Sequence, residues 1–120
     1  MSTGSECSPL PHLPNIPVVE LVCTLRNAGY QIVWMSGRSE ECRIQTEMWL
    51  AANCSATSAE PLYMRAFGDY RYDNLVKREM YDRHVHDRRD VAWVIDDRNQ
   101  VVSMWRGLGL TVLQVADGDF

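Results

Sequence analysis

Three short strings in this sequence combine residue types that can hold a phosphoryl group. The first is Ser36-Gly37-Arg38-Ser39. Glycine lets backbone donors approach an anion, a helix N-terminus attracts it, and the Arg38 guanidinium can grip two oxygens. The plainer reading is a turn in which Ser39 caps the next helix. The second string is Asp96-Asp97-Arg98. Two adjacent carboxylates at a strand end are costly unless a cation or helix terminus compensates them. Asp97 has an ordinary alternative as an N-cap, whereas Asp96 has none and is assigned to magnesium. The third is Lys77, four residues after Asp73, one turn apart on a helix. A lone helical lysine is usually solvated, and Asp73 can simply cap that helix.

Two further groups take the bland reading. His84 and His86 stand with Arg83, Arg88 and Arg89, but Asp82, Asp87 and Asp90 balance them, as at a solvated helix end. Trp34, Trp49, Trp93 and Trp105 sit in periodic segments and are expected in the core rather than as base-stacking platforms.

The elements that position these residues follow from apolar spacing. Residues 1–17 contain Pro9, Pro11, Pro14 and Pro17 and read as an extended leader ahead of a domain over 18–120. Val18, Leu21, Val22 and Leu25 repeat at helical spacing up to Gly29. Gln31 to Met35 reads as a buried strand stopped by Ser36-Gly37. A helix from about Ser39 to Ala52 follows, with Ile44, Met48 and Ala51 or Ala52 facing inward and Glu40 and Glu41 in its first turn. Leu62 to Phe67 is a weaker strand. Asp73 to about His86 is a helix with Val76, Met80 and His84 on one face. Val91 to Ile95 is the clearest strand, running into Asp96-Asp97. Asp97 and Gln100 have capping-box spacing, and Val101, Met104, Trp105 and Leu108 form the next helix's apolar stripe. Gly109 closes that helix, and Thr111 to Ala116 is the last strand. Alternating helices and strands predict an α/β fold with a mainly parallel sheet of about four strands, and ligands gather beyond the carboxyl ends of such strands.

Composition sets the outer limits. A chain of 120 residues makes one domain. A net charge of −4 argues against a general nucleic-acid or membrane coat. No segment approaches the roughly 20 apolar residues of a membrane helix, and the N-terminus lacks the basic and apolar regions of a signal peptide. Cys7, Cys23, Cys42 and Cys54 show no CxxC spacing, so neither a zinc site nor a disulfide framework is expected. These features predict a reducing, cytoplasmic setting.

Taken together, "GYQIVWMSGRSEECR", "YDNLVKREMYDRH", "VIDDRNQVVSMWRGLGL" and the terminal "QVADGDF" resemble the haloacid dehalogenase superfamily of phosphohydrolases. Within it, the likeness is to the phosphatase half of bacteriophage polynucleotide kinase/3′-phosphatases, over roughly Pro14 to Phe120. The resemblance implies a Rossmannoid three-layer α/β sandwich acting on 3′-phosphorylated nucleic-acid ends or nucleotides, in the cytoplasm of a bacterial host if the chain is of phage origin. Residue by residue, it implies that Ser36 and Gly37 bind the phosphoryl group and that Arg38 and Arg98 contact substrate. Lys77 would balance charge on nucleophile and phosphate, Asp73 would match the acidic position preceding it, and Asp96 and Asp97 would support magnesium, Asp97 also serving catalysis.

The same family uses an N-terminal strand ending in D-x-D-G-T, whose first aspartate attacks phosphorus and whose second is the general acid and base. That motif does not occur in these 120 residues. Spacing back from Ser36 places it ahead of Met1. The expectation is therefore a truncated or degenerate 3′-phosphatase-like domain with little turnover and weak or absent Mg2+ binding. The alternatives are an active enzyme with a replacement nucleophile and a non-enzymatic interaction protein. Without the missing strand, the strands ending at Met35 and Ile95 are expected to pair with each other or with another chain in a homodimer or strand-exchanged assembly.

Overall fold

The computed structural model describes Cys7, Leu10 and residues 13–120, so the expected leader lies mostly outside the described residues. Two compact units divide the chain, Met1–Asp69 and Tyr70–Phe120.

In the first unit, α1 (Ile16–Asn27) starts where Asn15 Oδ1 accepts the Val18 N–H, with a proline in the first turn, where a missing donor costs nothing. It ends before Gly29, whose φ of 99° is one that side chains rarely adopt. Strand β1 (Trp34–Ser39) lies parallel to β2 (Leu62–Arg65). The expected strand thus shifts along the chain. Ser36-Gly37 does not stop it, because the ladder resumes at Ser39 after a register shift that leaves Gly37 and Arg38 in a bulge. A 3-10 turn (Glu40–Cys42) then leads into α2 (Arg43–Cys54).

The buried face of α2 differs from the expected one. Ile44 is 70% and Met48 67% exposed, and Ala51 and Ala52 are exposed too. The core instead takes Cys42, Thr46 and Cys54, with Val22 and Met64. Thr46 can be buried because its hydroxyl donates to the Cys42 carbonyl at 2.8 Å. A second correction concerns the cysteines, since Cys7 and Cys42 form a disulfide with Cα atoms 5.8 Å apart. Their spacing carried no sign of this, because connectivity is a property of the folded chain.

In the second unit, α3 (Asp73–His84), β3 (Val94–Asp96), α4 (Asn99–Gly107) and β4 (Val112–Gln114) follow in order. Strands β3 and β4 are parallel, with Val94 opposite Val112 and Asp96 opposite Gln114. The core is Val76, Met80, Val85, Val101, Val102, Trp105 and Val112, and Tyr81 meets the Trp105 ring edge-on at 5.8 Å. Trp105 alone of the four tryptophans is fully buried, whereas Trp93 is 40% exposed. The N-cap of α4 is Arg98, not Asp97, and no side chain caps it.

The structure is therefore mixed α/β with short parallel strands, as the alternation predicts. The four strands form two pairs, β1–β2 and β3–β4, so the first of the two expected arrangements, direct pairing of β1 with β3 within the chain, is not formed. Among the described residues, no helix is long and apolar enough to cross a membrane.

Candidate phosphate site

The second unit gathers four charged side chains from three elements. Asp73 opens α3 and Lys77 follows one turn later, so their side chains share a helix face, with Lys77 Nζ 3.4 Å from Asp73 Oδ2. The end of β3 brings Asp96 to the same ammonium at 3.5 Å. Arg98, in the turn after β3, reaches Asp73 Oδ2 at 3.6 Å. Three of these side chains are nearly buried, with exposures of 7% for Asp73, 12% for Lys77 and 11% for Asp96. Two carboxylates and two cations make the cluster neutral, which is the arrangement that charges with little access to water require.

Asp96 is held from both sides. Its Oδ1 accepts the N–H groups of Asp97 at 2.8 Å and Arg98 at 3.4 Å, and its Oδ2 accepts the indole N–H of Trp105 at 3.3 Å. This explains why the aspartate pair is tolerated. Asp96 turns inward to Lys77 and three N–H donors, while Asp97 is exposed to water. The turn is closed from behind by the C-terminal segment. Asn99 N–H donates to the Gly118 carbonyl at 2.8 Å, and Asn99 Oδ1 accepts from Gly118 N–H at 3.1 Å and Gln114 Nε2 at 2.7 Å. A Cβ on residue 118 would overlap the Asp97 carbonyl, so this approach requires glycine. Arg98 Nε donates to the Phe120 carbonyl, and its guanidinium lies 5.2 Å from the Phe120 ring centre.

The first unit holds the other candidates. Ser36 Oγ accepts the Arg38 N–H at 3.1 Å, so the hydroxyl closes the bulge across Gly37. Arg65, on β2, donates through Nε to the Gly37 carbonyl at 2.7 Å and through Nη1 to the Asp69 carbonyl at 3.0 Å. Ser39 Oγ accepts the Glu41 N–H at 3.4 Å and caps the 3-10 turn, as its plainer reading has it. Nearby, Arg26 binds Glu60 through two nitrogens at 2.5 and 2.9 Å, and Trp34 donates to the same carboxylate at 3.0 Å. The Arg26 guanidinium, then Trp34, hold the Glu60 carboxyl below its ordinary range against the opposing effect of burial. Burial pushes the Cys54 thiol up.

Sequence reasoning missed Trp105, Arg65, Asn99, Gln114 and Gly118. Trp105 reads as core from its spacing, and nothing local shows that its N–H finds Asp96. The donor set also tests the implied magnesium. Asp96 already accepts four donors, the cluster carries no net negative charge, and among the described residues no three ligating side chains converge. These residues alone do not make a magnesium site.

Comparison with known proteins gives the family. The family model of the polynucleotide kinase PNKP phosphatase domain matches residues 9–120. The chain belongs to this PNKP phosphatase-domain family, within the haloacid dehalogenase superfamily. A protein of Autographa californica nuclear polyhedrosis virus named "Putative bifunctional polynucleotide kinase/RNA ligase" is 36% identical over 85 residues, covering 70% of this chain and 12% of that protein. A chain in the structure of the Pnkp1/Rnl/Hen1 complex superposes with a TM-score of 0.83 at 38% identity, over 90% of this chain and 37% of its own length. A chain in the Pnkp1/Rnl/Hen1 RNA repair complex gives 0.85 at 38% identity, over 90% and 34%. The present chain thus spans about a third of the solved relatives and a smaller part of the viral one.

Proposed function

We propose that this chain is a polynucleotide 3′-phosphatase-type domain that holds a phosphorylated nucleic-acid end and, by itself, turns it over little or not at all. The observation that carries this reading is the buried Asp73–Lys77–Asp96–Arg98 cluster at the end of β3, in a PNKP phosphatase-family chain whose 120 residues contain no D-x-D-G-T string. Lys77 and Arg98 supply cations that can exchange carboxylate partners for phosphate oxygens; in the first unit, taken by itself, the Ser36–Arg38 bulge offers a hydroxyl, backbone donors and a guanidinium. Positioning and charge stabilisation remain without the attacking aspartate, which supports binding far better than covalent phosphoryl transfer. Magnesium is drawn in only where further ligands stand beside Asp97. The likeness to chains of an RNA repair complex supports an RNA end as ligand and a repair protein as partner. Self-association through the outer edges of β1 or β3 is the alternative mode of assembly.

The deciding experiment measures Mg2+-dependent phosphate release from a 3′-phosphorylated oligonucleotide, with Asp96→Asn alongside, and titrates binding of the 3′-phosphorylated and 3′-hydroxyl forms. The expected outcome is no release and a clear preference for the phosphorylated end. Release that Asp96→Asn abolishes would establish a replacement nucleophile and overturn the loss of turnover. Equal binding of the two ends would overturn phosphate recognition.

A further inference from the structure

The segment leading into α3 presents two tyrosines to solvent, Tyr70 at 91% and Tyr72 at 75% exposure. Isolated exposed apolar residues need no explanation, but these two stand on either side of an arginine and directly before the Asp73 cluster. The Tyr72 main chain is not that of a loose loop. The Tyr72 carbonyl accepts the N–H groups of Leu75 at 3.0 Å and Val76 at 3.2 Å, so the first turn of α3 fixes its main chain. Arg71 lies along the same helix, 3.2 Å from Glu79. The Tyr72 ring is therefore a bare aromatic face on a held backbone, one residue from the carboxylate that Lys77 and Arg98 share. The ring and that shared carboxylate belong to consecutive residues, whose Cα atoms are about 3.8 Å apart.

We propose that Tyr72, with Tyr70 beside it, is a base-stacking subsite for the terminal nucleotides of a single-stranded, 3′-phosphorylated polynucleotide. This rests on the phosphate-holding reading above. An aromatic face accepts any base, so the subsite confers preference for a nucleic-acid end over a bare phosphate ester without sequence preference. It also reconciles the acidic chain with a polynucleotide ligand. Recognition comes from one neutral aromatic platform beside a neutral charge cluster, rather than from a basic coat.

The test uses the whole chain and fluorescence anisotropy with two labelled 3′-phosphorylated oligomers of equal length and charge, one with bases and one abasic at its last two positions. Tyr72→Ala should weaken binding of the base-bearing oligomer about tenfold and Tyr70→Ala/Tyr72→Ala further, with the abasic oligomer unaffected. Tyr72→Phe should restore wild-type binding, because the ring and not the hydroxyl stacks. Circular dichroism checks that these exposed substitutions leave the fold intact. Equal losses on both oligomers, or no loss on either, would overturn the subsite. A 3′-hydroxyl oligomer separates the two readings. If wild-type protein prefers the 3′-phosphate but Tyr72→Ala changes nothing, only the stacking proposal fails. If wild-type protein shows no such preference, the phosphate reading fails, and the subsite with it.

Discussion

Replacing Lys77 by methionine removes the ammonium that two buried carboxylates share. Its contacts run 3.4 Å to Asp73 and 3.5 Å to Asp96, and its side chain is only 12% exposed. At an effective dielectric of about 20, each contact represents on the order of 5 kcal/mol of gross attraction, most of which offsets the cost of taking the charges out of water. Methionine keeps the length of the stem but leaves Asp73 with Arg98 as its remaining ion-pair partner within the cluster. Asp96 keeps the indole and its two backbone donors. The expected loss is about 3–5 kcal/mol, the usual consequence of stripping one partner from a buried pair. Urea unfolding followed by tryptophan fluorescence measures it, beside Asp73→Asn and the double variant. Because the two residues touch, the double variant should lose less than the two singles together, by about 1–3 kcal/mol. A loss under about 1 kcal/mol with no coupling would place Lys77 among ordinary surface ion pairs and refute the cluster.

Three further outcomes follow from the same geometry. Glu60 sits below its ordinary pKa of 4.5, chiefly because Arg26 donates to it, so its contribution is complete above that value and is lost as pH falls through the lower folded value. Thermal melts of Glu60→Gln should be less stable than wild type at pH 7, with the difference closing as pH falls through the lowered folded value. Gly118→Ala should cost about 1–3 kcal/mol, because its Cβ meets the Asp97 carbonyl, whereas Gly107→Ala, with nothing within 4 Å, should be neutral or slightly stabilising in the same melts. Thiol titration of oxidised protein should count two groups, Cys23 and Cys54, and reduction of the Cys7–Cys42 bond should lower stability by roughly 3–4 kcal/mol.

Much of this was legible without coordinates. The i to i+4 spacing of Asp73 and Lys77 sets them on one helix face, and the expected strand from Val91 to Ile95 leads straight into Asp96, although the ladder itself spans only Val94–Asp96. Alternating helices and strands give the parallel pairs, since crossover connections leave little else. Local pattern was less reliable where burial is decided by a neighbour. The apolar stripe of Ile44 and Met48 suits an inward face, yet α2 buries Thr46 and Cys54, because a hydroxyl that bonds its own helix carbonyl can be buried as readily as a methyl.

Read residue by residue, the 120 residues yield an inventory and its local order: which side chains can grip phosphate, and which lie one turn apart. Which charges meet depends on elements far apart in the chain. Asp96 and Asp97 are indistinguishable as neighbours in sequence. The turn after β3 sends the first inward to Lys77 and Trp105 and leaves the second in water. The reason is physical. Side-chain chemistry and helical spacing act over a few residues, whereas pairing a buried carboxylate needs a cation and donors brought from separate elements, and only the packing of α3, β3 and α4 supplies them.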